Sequence, residues 1–536
     1  MIADIWPQGY NPLESEAASV LVSALPVVTL LAAISLLRVR AHLAALAALG
    51  VALVIATGVY GMPVPMALAA SAYGAAYGLL PIGWMVLNIL FLYRLTVERG
   101  LFADLQQRIA GITPDPRLQL LLVAFCFGAF FEGCAGFGAP VAITGAMLVG
   151  LGFAPVGAAR LSLIANTAPV AFGSLGAPII ALAAATRLPV EQLSAMVGRQ
   201  LPFFSVLVPF WLVAAFAGWR GVRAVWPAIL VTGLAYAIPQ ALVSNLHGPW
   251  LVDVASAVSS IAALTLFLRW RRAPADGVNA VPEGSALRAW MPWLILTTGV
   301  FVWGLPMTKA ALDGLFSLPL PVPGLDGLVL RMPPVVAEPH REAAVFVFNP
   351  LSTTGTGILV SAIVAGLAMG VRPGRLFGVW LETLRLAALP LVTIAAMLAL
   401  GYVTRYSGAD SVLGLALAHT GVLYPLFGTM LGWVGVVATG SDTASNVLFG
   451  GLQRTTAEQI GISPVLMAAA NTSGGVMGKM VDAQSIVVAA TATGIGGREA
   501  EILRYVVFHG IALATLVGML VMGQAYLWPL TAMVPQ

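Results

Sequence analysis

Three ionisable residues stand out by the company they keep. Glu132 opens EGCAGFGAP (132–140), Asp442 lies in ATGSDTASN (438–446), and Lys479 lies in ANTSGGVMGKMVDAQS (470–485). Each sits among glycines and small polar residues inside otherwise apolar sequence. A carboxylate there can carry a proton or ligate a cation, and an ammonium can hold a carboxylate. Charge within a membrane-spanning segment is costly and marks a functional site by default. The blander alternatives are an interfacial carboxylate at a helix end for Glu132 and a snorkelling side chain for Lys479. For Asp442 the alternative is a helix cap, since Ser-Asp-Thr ahead of an apolar run is also a helix-start signature. Lys479 gains weight because the chain has 24 Arg and only two Lys, Lys309 being the other. An ammonium is a compact, tunable charge that guanidinium does not replace; it could contact a substrate carboxylate or pair with Asp442 or Asp482.

Uncharged donors and acceptors accompany the charges. Asn166, Thr167, Ser441, Thr443, Asn446, Asn471, Thr472, Gln484 and Ser485 suit carboxylate and hydroxyl groups, and each could equally bridge two helices. Gly136, Gly138 and Pro140 weaken a helix and leave room for backbone amides to approach a ligand. Helix N-termini present such amides with about half a positive charge, enough to hold a small anion. Other polar residues read as structural. Glu382 and Arg385, three apart, predict an intrahelical ion pair. His42, His247, His340 and His509 lie near span ends, and His419 stands alone. Cys126 and Cys134 are eight residues apart, about 12 Å along a helix and too far for a disulfide.

The elements that must position these groups are membrane helices. Of 536 residues, 59% are hydrophobic and 9% charged, against roughly 25% charged in soluble proteins. Apolar runs near 17–37, 43–60, 65–93, 118–131, 203–218, 224–243, 250–268, 289–305, 356–371, 376–402, 412–438 and 505–528 approach the roughly 20 residues of a bilayer crossing. They lack the period-two alternation of barrel strands. The expected fold is an all-α polytopic membrane protein with about 12–14 transmembrane helices and broken or re-entrant segments. Residues 1–16 contain no Lys or Arg, unlike a cleavable signal. Arg38 and Arg40, then Arg94 to Arg117, Arg220 and Arg223, Arg269 to Arg288, and Arg372 and Arg375 fall in loops of one side. The positive-inside rule therefore predicts both termini outside. The net charge of +4 is loop bias; with no basic cluster among exposed aromatics, nucleic acid is not an expected partner. The lipid bilayer is.

The pattern breaks at 132–152, 165–178, 349–357, 438–451 and 470–485. Irregular backbone at membrane depth is tolerated only against protein or a cavity, and matched breaks in two halves point to a transporter's central site. ANTAPVAFG (165–173) and ANTSGGVMG (470–478) share Ala-Asn-Thr and a later Gly. Each follows a glycine-rich acidic segment. This predicts an inverted internal repeat: an extracytoplasmic N-terminus (1–16), a first membrane half (17–268), a cytoplasmic linker (269–288), a second half (289–528) and an extracytoplasmic tail (529–536).

No HExxH, paired Cys ligands, GxSxG or Walker A sequence is present, so neither an enzyme nor an ATP-driven pump is expected, and no cofactor or metal site. Secondary transport fits better than a passive channel, because paired broken segments with carboxylates suit a gated, coupled site.

At these residues the sequence resembles the bacterial L-lactate permease family, which includes glycolate permeases. EGCAGFGAPVAITGAMLVGLGF, NTAPVAFGSLGAPI, AHTG, TGSDTASNVLFGGLQ, ANTSGGVMGKMVDAQSI and GQAYLWP look like its signature blocks, in order, over essentially the whole chain. The resemblance implies proton-coupled uptake of L-lactate, D-lactate or glycolate across the inner membrane. On that reading Glu132 or Asp442 carries the proton. Lys479 with the amides near Gly136–Pro140 and Ser441–Asn446 holds the carboxylate, and Asn166, Asn471 or Gln484 meets the 2-hydroxyl. Where the family commonly has Lys-Met-Ile-Ser-Pro-Gln-Ser, this chain has Asp482 and Ala483 in place of Ser-Pro. The alternative is a Na⁺-coupled carrier of another organic anion such as a dicarboxylate, which would want a second cation; Arg405 could supply it if it faced the cavity.

Overall fold

The computed structural model describes residues 5–535 except 36, 38, 111, 135–138, 272–285, 337 and 496–497. Gly136, Gly138 and most of the expected linker therefore lie outside the described residues. The rest is overwhelmingly helical. Six helices are long and apolar enough to cross a membrane, and up to nine spans result if each bent helix pair counts as one. Val190–Leu246 breaks at Gly218 (φ 63°, ψ −175°), a conformation open to glycine, and so supplies two arms. These arms and the shorter apolar helices Glu16–Leu30, His42–Gly58, Pro140–Gly150 and Thr354–Ala368 complete the apolar set, in which Pro116–Cys134, Pro140–Gly150 and Tyr424–Thr439 are re-entrant arms.

The two ends of the bundle are distinct. At one end the N-terminal strand Trp6–Pro7 pairs with Val329–Arg331, which pairs with His340–Glu342; a second ribbon joins Leu318–Pro321 to Val345–Phe348. Gln8 donates to the carbonyls of Arg405 and Tyr406 at 3.0 and 2.9 Å, and Arg199 reaches the carbonyl of Met533 at 2.7 Å. Both termini therefore share this end. The opposite end gathers Arg375 on Glu98 (2.9 Å), Arg94 on Glu382 (3.0 Å) and Arg160 on Glu501 (3.0 Å). Glu382 is thus held by Arg94 of another helix and by Arg375 two turns back on its own, not by Arg385.

Two re-entrant hairpins enter from opposite ends. In the first, Pro116–Leu120 starts at the arginine-rich end, the helix runs on through Cys134, and Ala139–Gly150 turns back along it, Thr144 packing beside Gly128. In the second, Tyr424–Thr439 descends from the termini end and Asp442–Ile460 returns, tied by Gln453 to Gly428 (2.6 Å) and Tyr424 (2.7 Å). Each hairpin is followed by a broken span. Pro155–Ala165 and Gly173–Thr186 lead from the arginine-rich end toward Arg187; Pro464–Gly478 and Ala483–Ala492 run the other way. Opposite directions of the same motif are an inverted repeat. The breaks are narrower than the sequence indicated. Asn471 lies inside continuous helix, and chain direction changes only at Lys479–Asp482.

Candidate functional site

Glu132 of the first hairpin, the tip of the second and the breaks of both spans meet around a cavity of about 310 Å³. Glycine spacing explains how the carboxylates reach it. Glu132 sits on the first hairpin with Oε1 2.8 Å from where a Cβ on Gly173, the first residue of the following half-helix, would stand. Asp442 on the second hairpin presses likewise on Gly475 of the second broken span. A hairpin carboxylate against a glycine of the next span thus occurs once in each half. Both are buried, 5% and 3% exposed, and Glu132 Oε2 and Asp442 Oδ1 find no hydrogen-bond partner among the described residues. Unsatisfied buried oxygens are expensive and mark where a proton or ligand would be received.

Lys479 joins the two breaks. Its Nζ donates to the Gly440 carbonyl at 2.6 Å and lies 3.3 Å from Asp482 Oδ2. Asp482 is fully buried and caps Ala483–Ala492, its Oδ1 accepting from the Ser485 amide at 2.7 Å. Asp482 therefore serves both as N-cap and as counter-ion for Lys479. At the second hairpin the cap is Ser441, whose Oγ accepts from the Ala444 amide at 3.3 Å. Asp442 is the first helical residue behind it, where negative charge suits the helix dipole. In the first half Ser174, Leu175 and Gly176 all have positive φ (46°, 56°, 85°), strain of the kind that clusters at ligand sites.

Of the residues singled out from sequence, Glu132, Ser441, Asp442, Thr443, Lys479 and Gln484 line this cavity. Others are spent on packing. Asn446 donates to the Pro178 carbonyl at 3.1 Å, linking the halves, and accepts from Asn471 and Thr472 at 2.9 Å each. Thr167 bonds its own helix at Ile164. Pro140 starts the returning arm of the first hairpin, accepting from Thr144. Asn166 is buried beside Glu132, and among the described residues neither its side-chain amide nor Ser485 Oγ completes a hydrogen bond.

Two residues escaped the sequence reading. His42 lines the cavity although it looked like a span-end residue. Asp253, 1% exposed, packs its Cβ against Gly133, next to Glu132; its Oδ1 accepts from the Tyr236 hydroxyl at 3.0 Å and Oδ2 has no partner. An aspartate inside LVDVASAVSS was a visible signal by the rule that flagged Glu132. Arg405 is committed elsewhere: it pairs with Glu342 at 2.6 Å and donates to the Ala185 carbonyl, away from the cavity lining.

Opposed re-entrant hairpins and broken spans around one cavity, with charged residues set in a largely apolar lining, define a polytopic α-helical membrane transporter. The chain belongs to the L-lactate permease family, whose model matches residues 19–528. It is 46% identical to the glycolate permease GlcA of Escherichia coli K12, over 98% of each chain. It is 45% identical to the L-lactate permease of the same strain, over 99% of this chain and 100% of that one. Against the L-lactate permease of Bacillus subtilis 168 the identity is 42%, over 96% and 97%.

Proposed function

We propose that this chain imports L-lactate and related 2-hydroxymonocarboxylates, D-lactate and glycolate among them, across the bacterial inner membrane together with a proton. The names of its relatives supply the substrate class. The observation that carries the coupling is the charge balance of the cavity: Glu132, Asp442 and the adjoining Asp482 stand against one ammonium, Lys479. A monocarboxylate entering this space adds another negative charge, which low-dielectric surroundings resist. A proton taken up on Glu132 or Asp442 offsets it, and the combined movement is electroneutral.

Lys479 then holds the substrate carboxylate by charge-assisted hydrogen bonding, with the amides at the start of Asp442–Ile460 beside it. Gln484 and the open amide of Asn166 serve the 2-hydroxyl. Because Lys479 already bridges the two breaks, binding a carboxylate there alters contacts between the second hairpin and the second broken span, the elements that alternating access must move. The termini end faces outward on this reading, supported by Arg94, Arg99, Arg372 and Arg375 at the other. Arg187 and Arg405 do lie at the termini end, but both pair with Glu342.

The test is proton flux in proteoliposomes loaded with a pH dye. L-lactate, glycolate and succinate are added in turn, with and without Na⁺, against empty liposomes. Acidification by L-lactate above that background without Na⁺ is the expected outcome. A signal only with succinate plus Na⁺ would replace this reading with the dicarboxylate one.

A further inference from the structure

A second, larger cavity of about 640 Å³ lies toward the termini end and shares Ile82 with the central one. The two are stacked along common helices. Gly173–Thr186 lends Ala177 and Pro178 to the central cavity and Ala183 and Ala184 to this one. Pro373–Ser407 lends Met397 and Leu398 to the former and Tyr402 to the latter. One or two helical turns separate them, so they are successive chambers of one route.

The outer chamber has two cations, and they differ in how they are used. Arg187 is occupied by Glu342, by the Ala343 carbonyl and by the Tyr406 hydroxyl. Lys309, the chain's other lysine, lies with Nζ 3.9 Å from the centre of the Trp250 ring. Among the described residues it has no ion pair and no hydrogen bond. Asp313, on the same helix, is itself engaged by Ser352 and Asn349. Glu191 and Asp313 lie within its field, yet with no bond to either the ammonium still has its donors to offer to the cavity. The chamber beyond Ile82 carries more carboxylates than cations, so an anion approaching it meets an unfavourable field unless a positive charge precedes it.

We infer that the outer chamber is a capture site for the monocarboxylate anion, with Lys309 as its cation, from which substrate passes Ile82 to reach Lys479. The site rests on the proposed transport reading and adds to it a second, ordered binding step on one face only. Lys309 contributes to substrate capture from the termini side and leaves the central site untouched.

The experiment measures L-lactate and glycolate transport in proteoliposomes of defined orientation, for the parent, Lys309→Gln and Lys309→Arg, with thermal unfolding as a check on folding. In Lys309→Gln the KM for transport from the termini side should rise about fivefold at low salt. That difference should shrink as salt screens it. The maximal rate from the termini side should stay at the parental value. From the arginine-rich side KM should stay and the maximal rate fall by the same factor, since the ratio of maximal rate to KM must match in the two directions at equal pH. Lys309→Arg should restore capture. An unchanged KM from the termini side, or an equal rise on both sides, overturns the inference while leaving symport standing. A parent that moves neither acid overturns the transport reading, and the inference with it.

Discussion

Replacing Lys479 by glutamine separates two roles that the structure superimposes. The ammonium is the counter-ion of the fully buried Asp482, at 3.3 Å, and it is also the one cation lining the central cavity among the described residues. Breaking a buried pair from one side leaves an uncompensated charge, at a cost of about 3–5 kcal/mol, so Lys479→Gln should lower the unfolding temperature clearly. If Lys479 also grips the substrate, a charge-assisted hydrogen bond worth about 1.5–3 kcal/mol disappears, which is about 10- to 100-fold in affinity. The second substitution tells these apart. Lys479→Gln with Asp482→Asn removes both charges, so stability should return while L-lactate binding stays weak. Thermal unfolding and equilibrium L-lactate binding in detergent, at one fixed pH, read the two quantities independently. A double variant that binds L-lactate within about threefold of the parent, a difference under 1 kcal/mol, would refute the reasoning and reduce Lys479 to a partner for Asp482.

The other predictions concern coupling, cohesion and acid tolerance. Glu132→Gln should abolish net L-lactate-driven acidification while retaining lactate-for-lactate exchange; if Asp442→Asn gives that phenotype and Glu132→Gln does not, the proton site belongs to the second hairpin. Asn446→Ala removes the donor to Pro178 and the acceptor of the Thr472 hydroxyl, leaving Asn471 to Ser445 and Gln453, and at about 1–3 kcal/mol for an unsatisfied buried group it should depress thermal stability more than substrate affinity. Burial alone would raise the Glu342 carboxyl on the outer ribbon, but Arg405, Arg187 and Arg331 hold it down to about 2 against an ordinary 4.5. Since its folded value is the lower one, the stabilisation of roughly 3 kcal/mol is complete above the unfolded carboxylate range and is lost as pH falls from about 4.5 through about 2. Glu342→Gln should flatten the acid limb of unfolding temperature against pH, and an unaltered limb would show that the arginines are satisfied without it.

The sequence showed which residue types were out of place, but not which way they faced. Glu132, Asp442 and Lys479 were visible because charge in an apolar run has no cheap explanation, and all three line one cavity. Asn446, Asn471 and Thr472 carried the same kind of signal and went to a buried network between helices, since an amide serves a ligand or a neighbouring helix equally well. Which one it serves depends on helix rotation, and no local spacing states that. Glu382 shows the same limit: the i,i+3 rule offered Arg385, whereas tertiary packing brought Arg94 and a long side chain two turns away on the same helix, Arg375, reached back to it. Apolar length also cannot separate a crossing from an arm that turns back. That is why 118–131 and 412–438 read as plain spans while the structure folds them into hairpins.

The inverted repeat gives these details a common logic. Each half sends a hairpin carboxylate against a glycine of its own broken span, Glu132 on Gly173 and Asp442 on Gly475, yet only the second half supplies a lysine at its break. An inverted pair with identical charges would treat its two openings alike. Here the cation belongs to one half, its carboxylate partner Asp482 to the same half, and the outer chamber with Lys309 to one end. The first half contributes instead the left-handed turn at Ser174–Gly176 and the open amide of Asn166. On the proposed reading the second repeat holds the substrate carboxylate, and the 2-hydroxyl meets Gln484 of that repeat and Asn166 of the other. A movement of one repeat against its counterpart must then loosen the grip on both ends of a 2-hydroxy acid together, which is what release into one compartment requires.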